Sequence, residues 1–168
     1  MKKKILILGS SGCLGTSLED VFKNDKRYIY KGLNHRDVDI TQKQKLEKII
    51  LKFKPDILIN TVALIGINYC EQNPEKTLKV NALSVFEISN ICKKLNIFFV
   101  QISTHAVFDG ELKRLYKETD KPFPINVYGY AKLLGESSIA FLCHPTLSKS
   151  DLKFMSTNIE EVLKRVSY

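Results

Sequence analysis

Two side chains in the second half of the sequence have the types and the spacing of an acid-base pair. Tyr128 and Lys132 stand four residues apart in VYGYAKLLGE, so on a helix both project from the same face. A lysine cation near a phenol favours the phenolate, which makes the tyrosine a better general acid for protonating a carbonyl oxygen as a hydride arrives. Tyrosine and lysine are also common on exposed helix faces, so the spacing alone does not distinguish a catalytic pair from surface residues.

A glycine-rich stretch near the start of the sequence predicts a phosphate-binding turn. Gly9, Gly12 and Gly15 follow a short apolar run at the spacing GxxGxxG, and helical apolar periodicity continues after them. In a strand, turn and helix of this kind, glycine permits a sharp turn, close approach of a pyrophosphate and close packing of the helix on the strand. The amide N–H groups at the helix start, at Cys13 and Leu14, would then face the anion. The same glycines could instead build only a tight turn.

The opening letters MKKKILILGSSGCLG also resemble the start of an exported lipoprotein, with lysines, an apolar run and a cysteine. A secretory signal needs an apolar core of about 7 to 15 residues. The run from Ile5 to Leu8 supplies four residues before Gly9 interrupts it, so a strand is favoured over a signal. No apolar run approaches the roughly 18 residues of a membrane span. We therefore expect a cytoplasmic protein that binds no membrane.

The composition limits the classes of protein to which the chain can belong. The chain has 168 residues, of which 44% are hydrophobic, and this predicts one compact domain over residues 1–168. The net charge of +8 comes from lysines spread along the chain, which indicates solvated helix faces and attraction to anionic ligands such as nucleotides, with no nucleic-acid binding. The cysteines are scattered without CxxC spacing, which argues against a metal site and a disulfide framework; they are Cys13, Cys70, Cys92 and Cys143.

Apolar runs that alternate with helical segments predict repeated βαβ units. The expected fold class is therefore α/β, a doubly wound parallel sheet with helices on both faces. Thr41 occupies the N-cap position of the second helix, and Lys54-Pro55 ends that helix because a residue before proline is disfavoured in the helical region. The predicted strands are Lys4 to Leu8, Tyr28 to Leu33, Ile57 to Asn60 and Ile97 to Ile102; the predicted helices are Leu14 to Phe22, Gln42 to Phe53, Pro74 to Leu95, about Asn126 to Phe141, and Thr157 to Val166 with Thr157 and Glu160 as a capping box.

In combination and in order, these motifs resemble those of the extended short-chain dehydrogenases/reductases, and most of all the dTDP-4-dehydrorhamnose reductase group of nucleotide-sugar reductases. The resemblance covers residues 2 to 138 and leaves residues 139–168 as an atypical tail. It implies a Rossmann-type NAD(P)-binding domain that lacks most of the family's C-terminal substrate domain. The matching stretches are GSSGCLG, DVDIT, KPDILINTVA, CEQNPEKTLKVNA, ISTHAVFDG and YGYAKLLGE.

The resemblance also implies an activity and the residues that perform it. The expected protein is an NADPH-dependent oxidoreductase that reduces the 4-keto group of a deoxy-sugar nucleotide, and the resemblance implies a role in surface polysaccharide synthesis. Tyr128 would be the proton donor, Lys132 would hold the nicotinamide ribose and tune Tyr128, and Thr104 would hydrogen-bond the substrate carbonyl. The other family positions that would contact the cofactor are Gly9, Gly12, Cys13, Leu14, Gly15, Asp39, Ile40, Thr61, Val62 and Ala63.

The segment after the second predicted strand bears on the choice of cofactor. Asn34, His35 and Arg36 stand where an acidic residue would hold the ribose diol of NAD. A cation without that carboxylate favours NADPH. Asp37 is close enough in sequence that NADH stays possible.

One departure from the family concerns the substrate side of the site. The family pattern STDYVFDG has an acid and an aromatic residue where this chain has His105 and Ala106. Ser103 and His105 are candidate substrate contacts, although an ordinary exposed loop histidine is the favoured interpretation of His105.

A second departure is length, since family members continue well beyond the last residue of this chain. Three alternatives stay open: a truncated relative, a chain whose pocket is completed by a homo-oligomer or a partner protein, or a chain that no longer turns over substrate. The alternative function is a noncatalytic NAD(P)-binding regulatory module, similar to the beta subunit of methionine adenosyltransferase. Apolar residues of the tail could cap the sheet edge or form an oligomer contact; they are Phe141, Leu147, Leu152 and Phe154.

Overall fold

A computed structural model of the chain describes residues 2–117 and 119–137. Its strands are all parallel and form one sheet in the order β2-β1-β3-β4. This confirms the predicted α/β fold. The strands are β1 (Lys3–Leu8), β2 (Tyr28–Leu33), β3 (Ile57–Asn60) and β4 (Phe98–Gln101); the helices are α1 (Cys13–Lys23), α2 (Lys43–Phe53), α3 (Ile67–Gln72), α4 (Pro74–Leu78), α5 (Ser84–Leu95) and α6 (Val127–Ser137).

The core has two apolar layers, one on each face of the sheet. On β1, Leu6 and Leu8 pack with residues of α2 and α5 on one face. Ile5 and Ile7 point to the other face and pack with residues of α1. These four side chains are at most 1% exposed. Strands buried on both faces explain why the sequence shows continuous apolar runs rather than alternation.

The strand ends position the candidate site. The register aligns Leu8 with Leu33 of β2 and with Asn60 of β3, and aligns Asn60 with Gln101 of β4, so the four carboxyl ends are level. In the sheet, β2 lies on one side of β1, whereas β3 and β4 lie on its other side. The strand order therefore reverses between β1 and β3. A doubly wound sheet binds its ligand where this order reverses, at the carboxyl ends of β1 and β3.

One predicted helix boundary is wrong and the other is confirmed. The N-cap of α2 is Gln42, not Thr41. Thr41 is held in the preceding turn because its backbone N–H donates to Asp39 Oδ1 at 2.8 Å. At the other end, Lys54 has a left-handed conformation (φ 53°) and ends the helix before Pro55, as predicted.

The predicted single helix from Pro74 to Leu95 is also corrected. Five residues, Lys79–Leu83, form a π-helical turn between α4 and α5. Turns of this kind occur often at functional sites. Helix α3 was not predicted. It has six residues, of which Cys70 is the buried one, and so short a segment shows too little apolar periodicity to indicate a helix.

Part of the prediction falls on residues that the structure does not describe. The helix from Thr157 to Val166, Cys143 and the apolar residues of the tail all lie outside the described residues. Within residues 2–117 and 119–137, no helix has the length and apolar character needed to cross a membrane.

Candidate active site

The glycine turn closes over the end of β1. Gly9 has a positive φ of 85°, a conformation that favours glycine. Its N–H and that of Ser10 both donate to the Leu33 carbonyl, at 2.8 and 3.1 Å, which ties the turn to β2. The Gly12 N–H donates to the Gly9 carbonyl at 3.0 Å, and α1 begins at the next residue. The first amide groups of α1 therefore emerge directly from the turn, as anion binding requires.

A cleft of about 520 Å³ lies against this turn and along the carboxyl ends of β1, β2 and β3. This volume is within the range of small-molecule and cofactor sites. The structure brings together seven of the residues predicted to contact a cofactor, and leaves Cys13, Leu14, Gly15, Arg36, Tyr128 and Lys132 outside the lining. The predicted residues that line the cleft are Gly9, Gly12, Asp39, Ile40, Thr61, Val62 and Ala63.

The segment after β3 forms one wall of the cleft, and side-chain hydrogen bonds hold it at both ends. Thr61 Oγ1 donates to the Leu8 carbonyl at 2.8 Å, which joins the loop to β1. Asn81, in the π turn, is 2% exposed. Its amide accepts the Leu64 N–H and donates to the Leu64 carbonyl, both at 2.8 Å. The segment that passes along the cleft is thus fixed at both ends.

The wall after β2 is a turn built from its own side chains. The Asn34 N–H donates to the Asp37 carboxylate at 2.8 Å, and the Arg36 N–H donates to Asn34 Oδ1 at 2.8 Å. Asn34 and His35 line the cleft, whereas the Arg36 side chain is exposed outside it. The Thr41 backbone hydrogen bond lowers the pKa of Asp39, so this carboxyl group of the lining is ionised at neutral pH.

Tyr128 and Lys132 lie together on α6, which packs beside the end of β4. Lys132 is 3% exposed, and its ammonium group donates to the Ile102 carbonyl, the residue after β4. Tyr128 is half-buried. A Cβ on the intervening Gly129 would lie 2.1 Å from the Ala106 carbonyl oxygen, so glycine allows α6 to approach the loop that carries Thr104.

The electrostatics of α6 involve a third side chain. Burial lowers the pKa of Lys132, and the Glu136 carboxylate opposes this by raising it. Burial raises the pKa of Glu136, while the Ser103 hydroxyl and the Lys132 ammonium group lower it. These residues surround the segment between β4 and Thr104.

The loop after β4 carries the candidate substrate contacts. Thr104 Oγ1 accepts the Ala106 N–H at 3.2 Å and caps a short 3-10 turn, His105–Val107. This bond uses the oxygen as an acceptor and leaves the Thr104 hydroxyl proton available to a ligand. Ser103 and His105 are both exposed. None of these residues lines the 520 Å³ cleft. The 3-10 turn of this loop packs against α6 instead.

Sequence reasoning assigned no role to Asn81 or Glu136. A signal existed for Asn81, because Thr77, Asn81 and Ser84 are polar residues at the core-facing spacing i, i+4, i+7, and all three are buried. Glu136 follows Lys132 by four residues and so shares its helix face.

Comparison with known families agrees with this geometry. The family model described as the RmlD substrate binding domain matches residues 2–147. The chain belongs to this family. The match extends past residue 138, where the sequence motifs end.

Several relatives of the family are similar to this chain over part of their length. A dTDP-4-dehydrorhamnose reductase of Aggregatibacter actinomycetemcomitans is 35% identical over 133 residues, which are 79% of this chain and 45% of the relative. A probable low-salt glycan biosynthesis reductase of Haloferax volcanii is 36% identical, covering 79% of this chain and 47% of the relative. The chain spans about half the length of the curated relatives it matches.

A solved structure shows the same arrangement of elements. The dTDP-4-dehydrorhamnose reductase of Bacillus anthracis, crystallised in complex with NADP, superposes with a TM-score of 0.81 at 28% identity. The superposition covers 86% of this chain and 51% of that one. The predicted Rossmann-type fold is therefore that of a solved reductase of the family.

Proposed function

We propose that this chain carries the cofactor-binding and acid-base part of an NADPH-dependent reductase of a 4-keto-deoxy sugar nucleotide. The observation that supports this most directly is the cleft at the carboxyl ends of β1 and β3. It is lined by the glycine turn and by Val80 of the π turn, and the helix of Tyr128 and Lys132 packs on that π turn. The relatives named above are reductases of dTDP-4-dehydrorhamnose and of glycan synthesis. A role in polysaccharide synthesis follows from the same relatives.

The glycine turn fits a dinucleotide. A Cβ on Gly9 would lie 2.6 Å from Thr61 Oγ1, so glycine is needed for the turn to approach Thr61 this closely at the edge of the cleft. In the proposed complex, the amide groups at Cys13 and Leu14, the first of α1, hold the pyrophosphate, and Asp39 lies along the adenosine. Arg36 is exposed next to His35 of the cleft lining, and pairing of its guanidinium with a 2′-phosphate would favour NADPH over NADH.

Each side chain of the second group has a separate task in the proposed reaction. NADPH, when bound, supplies the hydride. Tyr128 donates its phenolic proton to the carbonyl oxygen of the sugar. Thr104 hydrogen-bonds the same oxygen, and Lys132 holds the ribose and keeps positive charge near the phenol. His105 and Ser103 contribute to the substrate side.

The experiment that tests this function compares two tyrosines of one helix. Tyr128→Phe should lower the rate of NADPH oxidation with dTDP-4-dehydrorhamnose by at least about 100-fold, because general acid catalysis contributes that much. The affinity for NADPH, measured by fluorescence titration, should not change. Tyr130→Phe is the matched control, since Tyr130 is 53% exposed on the same helix. Equal rates for both variants and the unchanged chain would refute the role of Tyr128.

A second candidate is a noncatalytic NAD(P)-binding module that contacts another protein chain. It is favoured by a contiguous apolar face on the π turn, α5 and α6, because exposed faces of this kind mark interaction sites. Leu83, Phe86 and Leu134 are 54%, 47% and 56% exposed there. This candidate predicts NADPH binding without ketone-dependent oxidation, and light scattering would show whether the other chain is a second copy.

A further inference from the structure

Lys132 and Glu136 lie one turn apart on the same face of α6, near two consecutive residues after β4. The Lys132 ammonium group donates to the Ile102 carbonyl. The next residue, Ser103, is close enough to the Glu136 carboxylate to lower its pKa. Lys132 therefore ties α6 to the segment that leads directly into Thr104.

The buried lysine requires a partner of opposite charge. Lys132 is 3% exposed, and one carbonyl dipole compensates only part of the hydration that its ammonium group loses. Glu136 supplies a negative charge on the same helix face. Its Oε1 atom is buried and makes no hydrogen bond to any described residue. A buried charge and a buried carboxylate are each costly alone and far less costly together.

Among the described residues, Glu136 is the charged group that acts on Lys132 to oppose the effect of burial. The elements packed against α6 are α3, α4, α5, the π turn and the 3-10 turn after β4. The charged or titratable side chains on these elements are Tyr69, Cys70, Glu71, Glu75, Lys76, Lys79, Glu87, Cys92, Lys93, Lys94 and His105. Glu71 accepts the Val127 N–H, and Glu87 pairs with Lys43, so both of these carboxylates have other partners.

We propose that Glu136 is a positioning residue for Lys132: its carboxylate, on the same helix face, keeps the buried ammonium group charged and directed at the Ile102 carbonyl. The inference rests on the proposed function, since it explains how Lys132 is held for its role beside Tyr128.

The test is an NMR titration of the Lys132 side chain in the 168-residue chain labelled with ¹³C-lysine, without cofactor or substrate. The Lys132 signal is assigned by its absence in Lys132→Arg. In Glu136→Gln, which keeps the size of the side chain and removes its charge, the Lys132 midpoint should move to lower pH by about 1 unit, as loss of a close opposite charge does. In Glu136→Asp, which restores the charge, much of this shift should be reversed.

The control variant removes a different carboxylate charge, on a neighbouring helix. Glu75 is exposed on α4, which packs against α6, and Glu75→Gln should leave the Lys132 midpoint where it is. An unchanged midpoint in Glu136→Gln, or an equal shift in Glu75→Gln, would overturn the proposal.

A second measurement needs no variant and so does not depend on whether Glu136→Gln folds. In the unchanged chain labelled with both ¹³C-lysine and ¹³C-glutamate, the Lys132 signal should show a second, smaller step at acidic pH with the same midpoint as the ¹³Cδ signal of Glu136. Absence of that step would also overturn the proposal. Failure of the proposed function would appear separately, as absence of NADPH binding and oxidation in the unchanged chain.

Discussion

Gly15→Ala tests how closely α1 packs on the glycine turn. A Cβ at residue 15 would lie 2.1 Å from the Gly9 carbonyl oxygen and 2.7 Å from the Cα of Ser10. Both neighbours are backbone atoms, so neither can rotate away. Ordinary contact begins at 3.4 Å, and α1 would have to move by about 1.3 Å to restore it, a displacement of the kind that makes overpacked variants unstable.

The magnitude follows from two opposing terms. Overpacking of this kind costs roughly 1–3 kcal/mol, and a rigid backbone neighbour places the cost near the upper end. Alanine in a helix interior is favoured over glycine by about 1 kcal/mol. The movement would also withdraw Leu18 and Phe22, which are 1% and 4% exposed, from the core. We expect the free energy of unfolding to fall by about 2 kcal/mol.

The assay is equilibrium unfolding in urea, followed by circular dichroism, with Gly12→Ala as the matched control. Gly12 has a φ of −77°, and a Cβ there would approach the Gly9 carbonyl only to 3.3 Å. Gly12→Ala should therefore cost less than about 1 kcal/mol of stability. It should weaken NADPH binding at least about tenfold, because the new methyl group would face the pyrophosphate. Equal stability of Gly15→Ala and the unchanged chain would refute the packing argument.

Three further predictions concern other parts of the site. Asn81→Leu should lower the free energy of unfolding by about 2 kcal/mol in the same urea assay, because it leaves the Leu64 N–H and carbonyl unpaired; Asn24→Leu, at an exposed position, should change it little. Arg36→Ala should weaken NADPH binding about tenfold and leave NADH binding unchanged in fluorescence titration, as loss of a charge-assisted hydrogen bond would; an equal effect on both cofactors would contradict the assignment. In a Cys143→Ser background, the exposed Cys13 should react with a thiol reagent and be protected by NADPH, whereas Cys92 should react only on unfolding, because burial raises the pKa of its thiol to about 12. Unprotected labelling of Cys13 at saturating NADPH would count against phosphate binding at the turn.

Much of the fold could be predicted because its signals are local. Apolar runs predicted the four strands to within two residues of their observed ends, with β3 matching from Ile57 to Asn60. Pro55 predicted the end of α2. The wrong boundary at Thr41 arose because Asp39 captures its N–H in a turn, a competing local bond that the N-cap pattern does not reveal.

The π turn could not be predicted from the sequence pattern. Helical periodicity continues through Lys79–Leu83, but two tertiary contacts accompany the wider turn there. The Asn81 amide binds Leu64, and a Cβ on Gly135 would lie 2.4 Å from the Asn81 carbonyl oxygen, which shows how closely α6 packs on the turn.

The sequence by itself determined the parts of this protein that depend on neighbours along the chain. These are the glycine turn between β1 and α1, the parallel βαβ order, and the shared helix face of Tyr128 and Lys132. Only the tertiary structure decided which distant groups hold the site together. Asn81 bonds to Leu64 across 17 positions, and Lys132 bonds to Ile102 across 30. Burial makes such bonds necessary, because a polar group without water needs a partner, and the fold alone specifies which partner is within reach.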